Sequence, residues 1–80
     1  MVNVVLPELG EGIEKATVSY WHFQKGQKIN KDDDLVEMAT DKATFNVPAS
    51  CSGVISEILF EEGQEVKVGQ TLAIIDGNKV

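Results

Sequence analysis

Among the 80 residues of this chain, few pair reactive chemistry with a placement that would use it. Lys42 is the first of them. It lies in Met38-Ala39-Thr40-Asp41-Lys42-Ala43-Thr44-Phe45, between two β-rich stretches. Thr40-Asp41-Lys42-Ala43 is the length of a tight turn and contains no Gly to support a primed geometry. A type I-like turn is expected, with Asp41 at its second position and Lys42 at its third. An amine there stands at the tip of a protruding hairpin, clear of neighbours. Solvated turn lysines are common, so Lys42 takes its meaning from its surroundings. Asp41 reads as a turn former whose side chain bonds the backbone rather than as a catalytic carboxylate.

The remaining candidates form no catalytic constellation. His22 has no Ser, Cys or Asp partner at a motif spacing and reads as a strand surface residue. Cys51 sits in the loop Pro48-Ala49-Ser50-Cys51-Ser52-Gly53, with no base nearby in sequence to make it a thiolate. One Cys and one His leave no internal disulfide and no Cys/His zinc site. Gly10-Glu11-Gly12 is acidic and lacks the Lys of a phosphate cradle. Asp32-Asp33-Asp34 does not have the spacing of an EF-hand, and with Glu61-Glu62 it reads as solvated turn charge. No metal site and no catalytic residue are expected, so the chain reads as a module rather than a catalyst.

Composition narrows the partners. Thirteen acidic residues face seven basic ones, for a net charge of −6, and all seven bases are Lys. Neutralising phosphates needs a basic face, for which Arg is the preferred fork, so no nucleic-acid partner is expected of an acidic chain without Arg, and the same charge opposes anionic membranes. No apolar run approaches the roughly 18 residues needed to span a bilayer. Apolar residues at 42% and charged residues at 25% are globular proportions, so the chain should form one small domain with a core of its own. The N-terminus has no basic region ahead of an apolar one, so no signal peptide is expected. Met1 just before the first strand fits a domain that starts its chain.

The elements that must position Lys42 are strands. Short β-rich stretches are expected at about Val2–Leu6, Thr17–Gln24, Lys28–Ile29, Asp34–Ala39, Ala43–Val47, Gly53–Phe60, Glu65–Val66 and Thr71–Asp76. They are broken by Gly, Pro, Asn and Asp, and no helical periodicity competes with them. The fold class is therefore all-β, a sandwich or barrel. An internal repeat organises it. At a shift of 37 positions, Val18 meets Ile55, Ser19 meets Ser56, Trp21 meets Ile58 and Phe23 meets Phe60. Gly26-Gln27 then meets Gly63-Gln64, and Leu35 meets Leu72. A second match, Val5-Leu6-Pro7 with Asn46-Val47-Pro48, falls at a shift of 41. It implies a four-residue insertion in the loop Glu8–Ile13. Neither half could bury its apolar face alone, so the halves should pack about a pseudo-two-fold axis. By this repeat Lys79 is the counterpart of Lys42. Alternation places Thr17, Ser19, Trp21 and Phe23 on one face, matched by Val54, Ser56, Ile58 and Phe60; its large apolar groups assign that face to the core.

With this framework, Thr40-Asp41-Lys42-Ala43 resembles the lipoyl-bearing turn of the lipoyl domains of 2-oxo acid dehydrogenase complexes. The resemblance runs over nearly the whole chain. Leu6-Pro7-Glu8-Leu9-Gly10-Glu11-Gly12-Ile13 is similar to the family's opening strand and surface loop. Ala16-Thr17-Val18 with Trp21-His22 and Lys25-Gly26 is similar to its second strand and turn. Val47-Pro48-Ala49, Gly53-Val54-Ile55, Glu62-Gly63 and Val68-Gly69-Gln70-Thr71-Leu72 follow in order. The chain departs from the commonest pattern at Lys15-Ala16, where many members have Glu-Gly, and at Ala39, where Glu is frequent.

The resemblance implies a flattened β-barrel or sandwich of two four-stranded antiparallel sheets. Residues 1–76 would be the carrier domain and 77–80 the start of a linker or tail. It implies lipoic acid as a covalent amide on Lys42, with Asp41 and Ala43 forming the presenting turn. The chain would be the swinging-arm domain of a dihydrolipoamide acyltransferase and not itself an enzyme. Its lipoyl group would be reductively acylated by a thiamine-dependent 2-oxo acid decarboxylase. It would carry the acyl thioester to the acyltransferase catalytic domain for transfer to coenzyme A, and be reoxidised by dihydrolipoamide dehydrogenase. A lipoate-attaching enzyme would be a further partner. The loop residues Glu8, Leu9, Gly10, Glu11, Gly12 and Ile13 would help the decarboxylase recognise the domain. The turn Asp41-Lys42-Ala43 leans toward a pyruvate complex, and Ala16-Thr17-Val18 with Trp21-His22 toward a 2-oxoglutarate one. The bacterial cytoplasm is the expected location, with the mitochondrial matrix as alternative. Two other readings stay open: a biotinyl carrier domain of a carboxylase, against which Asp41 and Ala43 replace the flanking methionines of that family, and an unmodified β interaction domain.

Overall fold

Eight short strands build the chain in the computed structural model, which describes residues 1–10 and 12–77. They are β1 (Val2–Val5), β2 (Lys15–Trp21), β3 (Lys28–Ile29), β4 (Asp34–Ala39), β5 (Thr44–Pro48), β6 (Gly53–Ile58), β7 (Glu65–Lys67) and β8 (Thr71–Asp76). Each overlaps one of the strands expected from sequence, although β2 and β6 end short of Gln24 and Phe60. They form two antiparallel four-stranded sheets, ordered β1-β8-β6-β3 and β5-β4-β2-β7. No strand is shared between the sheets, so the architecture is a sandwich rather than a closed barrel. Of the expected linker, Gly77 is described; residues 78–80, including Lys79, lie outside the described residues.

The repeat is visible strand by strand. The central pair of one sheet, β4 and β2, corresponds to the central pair of the other, β8 and β6, and each half supplies the edge strands of the other half's sheet. Hydrogen bonds repeat as well. Gly26 N–H donates to Ile55 O at 2.8 Å, and its counterpart Gly63 donates to Val18 O at 2.8 Å. His22 N–H donates to Leu35 O at 3.0 Å, and Leu59 N–H to Leu72 O at 2.9 Å. The two glycine bonds cross between the halves, so each half satisfies a backbone group of the other, whereas the other two bonds lie within a half.

Four turns share one device. Residues 24–27, 61–64, 67–70 and 30–33 each place a positive φ at the third position: Gly26, Gly63 and Gly69 at 90°, and Asp32 at 74°. Glycine takes that conformation without a Cβ clash, and Asp tolerates it. The side chain at the fourth position then folds back to accept the N–H of the first. Gln27 accepts from Gln24 at 2.6 Å, Gln64 from Glu61 at 2.7 Å, Gln70 from Lys67 at 2.8 Å and Asp33 from Asn30 at 3.1 Å.

The strand registers correct two sequence readings. Val4 pairs with Ala73 and Val5 with Thr71, while Val47 pairs with Val36 and Pro48 with Asp34. Since Ala73 and Thr71 are the counterparts of Val36 and Asp34, Val4-Val5 corresponds to Val47-Pro48, a shift of 43 and not 41. Leu6 and Ala49 continue it: Gly69 N–H donates to Leu6 O as Asp32 N–H donates to Ala49 O. The match of Leu6-Pro7 with Val47-Pro48 is therefore a local coincidence, and the loop after β1 is longer than its counterpart by six residues rather than four.

The second correction concerns the faces. Ala16 and Val18 are buried, whereas Thr17 is half-buried and Ser19 exposed. The register shifts between Val18 and Tyr20, and at the equivalent place between Ile55 and Glu57. A bulge there adds one residue and reverses the alternation beyond it. Val18 and Ile55 therefore face inward ahead of the bulge. Beyond it Trp21, Phe23, Ile58 and Phe60 also pack against the core, each half-buried. The core between the sheets is wholly apolar, with Leu6, Val18, Leu35, Met38, Ile55, Val66, Leu72 and Ile75 at 1% exposure or less. Full burial of each such side chain contributes about 1.5–3 kcal/mol, which lets so small a chain hold its hairpins rigidly.

Candidate functional site

β4 and β5 run into each other through Thr40-Asp41-Lys42-Ala43. Ala39 and Thr44 form their last cross-strand pair, and Thr40 N–H donates to Ala43 O at 2.8 Å to close the turn. Neither Asp41 nor Lys42 has a positive φ, in keeping with an unprimed turn. The side chain that holds the turn is Thr40. Its hydroxyl donates to Ala43 O at 3.0 Å and accepts from the N–H groups of Lys42 at 3.3 Å and Ala43 at 3.2 Å. Asp41, expected to bond the backbone, is exposed and makes no hydrogen bond. Thr40 takes that role because its hydroxyl both donates and accepts within the turn, a combination no ionised carboxylate offers. Sequence reading passed over Thr40, although Ser or Thr opening a short turn is a known backbone-bonding signal.

Lys42 stands exposed at the tip. The ion pairs among the described residues are Lys15 with Glu65 at 3.3 Å and Lys25 with Glu57 at 3.4 Å, so the Lys42 amine is engaged by neither. Ala43 is exposed beside it. An amine held this way, on a rigid hairpin and in water, is suited to covalent attachment of an acid through an amide and has no partner to break first.

The loop after β1 reaches the same end of the molecule. Thr17 pairs with Ala39, and Lys15 with Lys67, so the start of β2 is level with the hairpin. Glu14 O accepts from Val68 N–H at 2.9 Å, which fixes the loop's exit, and Ile13 N–H donates to Gly10 O at 3.2 Å. Leu9 packs against the core and anchors the middle of the loop, leaving Glu8, Gly10 and Gly12 exposed and Ile13 half-buried. Glu11 lies outside the described residues. Between loop and hairpin runs an open cleft of about 550 Å³, lined among others by Ile13, Thr17, Ala39, Thr40 and Lys42. The structure thus brings Gly12 and Ile13 of the loop to the lysine turn, whereas Glu8, Leu9 and Gly10 do not line the cleft.

The other sequence candidates lie elsewhere. His22 is exposed just past β2; its Nε2 is 2.9 Å from Asn46 Oδ1 and its ring meets Tyr20 edge-on at 5.3 Å. Cys51 is half-buried against the core. Trp21 lies against the core and donates its indole N–H to Phe60 O at 2.9 Å. Among the described residues no group of three or more His, Cys, Asp and Glu side chains suits a metal ion.

Residues 2–75 match the family model described as biotin-requiring enzyme, which covers biotinyl and lipoyl attachment domains. The chain belongs to the biotin/lipoyl-attachment family. Its relatives separate the two branches. The chain is 40% identical over 74 residues to the lipoamide acyltransferase component of the branched-chain alpha-keto acid dehydrogenase complex of Bacillus subtilis; the match covers 92% of this chain and 18% of that protein. It is 38% identical over 78 residues to the dihydrolipoyllysine-residue succinyltransferase component of the 2-oxoglutarate dehydrogenase complex of Escherichia coli, covering 96% and 19%. A solved structure, the lipoyl domain of the 2-oxoglutarate dehydrogenase complex of Azotobacter vinelandii, superposes with a TM-score of 0.76 at 33% identity, covering 95% of this chain and 96% of that one. This member of the family is a lipoyl domain, a carrier rather than a catalyst. It spans about a fifth of the length of the curated relatives it matches.

Proposed function

We propose that Lys42 is the lipoyl attachment site, its Nζ acylated by the carboxyl group of lipoate. The observation that carries this reading is the exposed, unpaired amine at the tip of a closed four-residue hairpin between β4 and β5. Attachment removes one positive charge and takes the net charge from −6 to −7. When bound, a lipoyl group supplies a dithiolane that accepts an acyl group with its own reduction and gives it up again. The chain's own residues do no covalent chemistry beyond attachment. Thr40 and Ala43 hold the turn, Lys42 offers the amine, and Asp41 and Ala43 flank it for the enzyme that reads it.

The relatives support a place for the domain within a dihydrolipoamide acyltransferase. Its partners in that setting are the acyltransferase catalytic domain, a thiamine-dependent 2-oxo acid decarboxylase, dihydrolipoamide dehydrogenase and a lipoate-attaching enzyme. A tethered arm replaces diffusion between those sites with a high effective concentration. The loop from Glu8 to Ile13, whose residues Gly12 and Ile13 line the cleft beside the hairpin, is the surface proposed for recognition by the decarboxylase. Both branched-chain and 2-oxoglutarate complexes stand among the relatives, so the proposal stops at the class of 2-oxo acids. A bacterial cytoplasmic location accords with the bacterial sources of these relatives.

The test is intact mass before and after incubation with lipoate ligase, lipoate and ATP, beside Lys42→Ala and a parallel reaction with biotin ligase and biotin. One lipoyl addition, absent in Lys42→Ala, is the expected result. Addition of biotin alone, or lipoyl addition that persists in the variant, refutes the assignment.

A further inference from the structure

The hairpin that presents Lys42 is locked differently from every other tight turn with a side-chain lock among the described residues. In turns 24–27, 61–64, 67–70 and 30–33 the lock is the fourth residue's side chain, which accepts one N–H from the first. In turn 40–43 it is the first residue's hydroxyl, and it gathers both N–H groups that follow the tip, those of Lys42 and Ala43, while donating to Ala43 O. Closure itself does not need it, because Thr40 N–H to Ala43 O at 2.8 Å is a backbone bond.

We infer that Thr40 is a positioning residue for modification of Lys42: its hydroxyl fixes the Lys42 and Ala43 amides, and with them the direction in which the amine leaves the tip. This rests on the reading of Lys42 as the attachment site. Without the hydroxyl, the two amides turn to water at little cost to folding, and the tip samples other conformations. An enzyme that reads the tip then meets the competent form in only a fraction of encounters. A conformational fraction lowers apparent affinity by that fraction and leaves the chemical step alone.

The experiment measures initial rates of lipoylation by lipoate ligase against concentration of this chain, for wild type, Thr40→Val, Thr40→Ala and Thr40→Ser. Loss of these exposed hydrogen bonds should raise KM by about three- to tenfold in Thr40→Val and Thr40→Ala, with kcat unchanged. Thr40→Ser, which keeps the hydroxyl, should return KM to within about twofold of wild type. Melting temperatures should stay within about 5 °C of wild type, and hydrogen exchange at the Lys42 and Ala43 amides should quicken in the Val and Ala variants only. Equal KM in all four proteins overturns the inference, as does a fall in kcat at constant KM or a failure of Ser to restore it. Should one hydroxyl-free variant fold poorly, the other carries the comparison. Wild type that accepts no lipoate refutes the attachment reading instead, so the two failures are distinct.

Discussion

Gly53 gives the most demanding test of the packing that holds the hairpins. It opens β6, is buried, and pairs with Ile29 of β3. Its φ lies outside the left-handed region, so a side chain there meets no backbone penalty. Space is what is lacking. A Cβ at Gly53 would run into the carbonyl oxygen of Asp76 and lie 2.9 Å from Ile75 Cγ2. Ile75 is fully buried, and Asp76 is held in the β8 ladder opposite Val54, so neither neighbour is the free end of a flexible side chain. Overpacking against backbone lies at the upper end of the usual range, about 2–3 kcal/mol, and replacing Gly by Ala in a strand returns about 0.5–1 kcal/mol, for a net loss of about 1–2.5 kcal/mol. A domain of this size loses about 4–8 °C per kcal/mol, so Gly53→Ala should melt about 5–15 °C below wild type. The assay is thermal unfolding followed by the fluorescence of Trp21, backed by urea titration. A Gly53→Ala melting temperature equal to or above wild type refutes the close approach of β6 to β8. A loss of cooperativity at unchanged midpoint would contradict the assignment of the effect to one local clash.

Further outcomes follow from the turns and from the indole. Asp32 holds a left-handed φ where its repeat counterpart is Gly69; Asp32→Gly should stabilise by about 0.5 kcal/mol in urea titration, the strain relieved exceeding the entropy lost. Gln27→Ala and Gln64→Ala remove equivalent bonds and should each cost about 0.5 kcal/mol, equally and additively in the double variant. Trp21→Phe loses the bond to Phe60 O and should cost about 1 kcal/mol in urea denaturation followed by circular dichroism. Exchange of Asp41 and Lys42 should abolish lipoylation while leaving the melting temperature nearly unchanged, because neither side chain supports the turn; efficient modification of that variant, read by intact mass, would show that position on the hairpin is not what is recognised.

The strands were legible because each is a short β-rich stretch ended by Gly, Asn, Asp or Pro, and the repeat was legible because it needs no gap from Ala16 to Ile75. What misled was local. An alternation argument assumes an unbroken period of two, and Ser19 and Ser56 carry no mark that says a bulge begins there. The reversal of face that follows put Thr17 and Ser19 inward on paper, while Ala16 and Val18 are inside. Leu35 and Leu72 show the same effect: each is buried beside a buried neighbour, Val36 and Ala73, because the register shifts across them. The shift of 41 was set by one recurring proline, whereas the registers follow hydrogen bonds and give 43. At the site, the length of the turn and the exposure of Lys42 could be read directly. The lock could not, since Thr and Asp both bond turns and only geometry shows that Thr40, not Asp41, does so here.

The most direct measurement is the location of the added group. The lipoylated chain would be digested and every lysine-bearing peptide mapped by tandem mass spectrometry. The six lysines among the described residues are all exposed, so selectivity carries the information. Modification confined to Lys42, with Lys15 and Lys67 across the cleft untouched, is the predicted result. Lipoate on Lys15, on Lys67 or spread over several lysines would contradict the assignment of the hairpin tip as the carrier site.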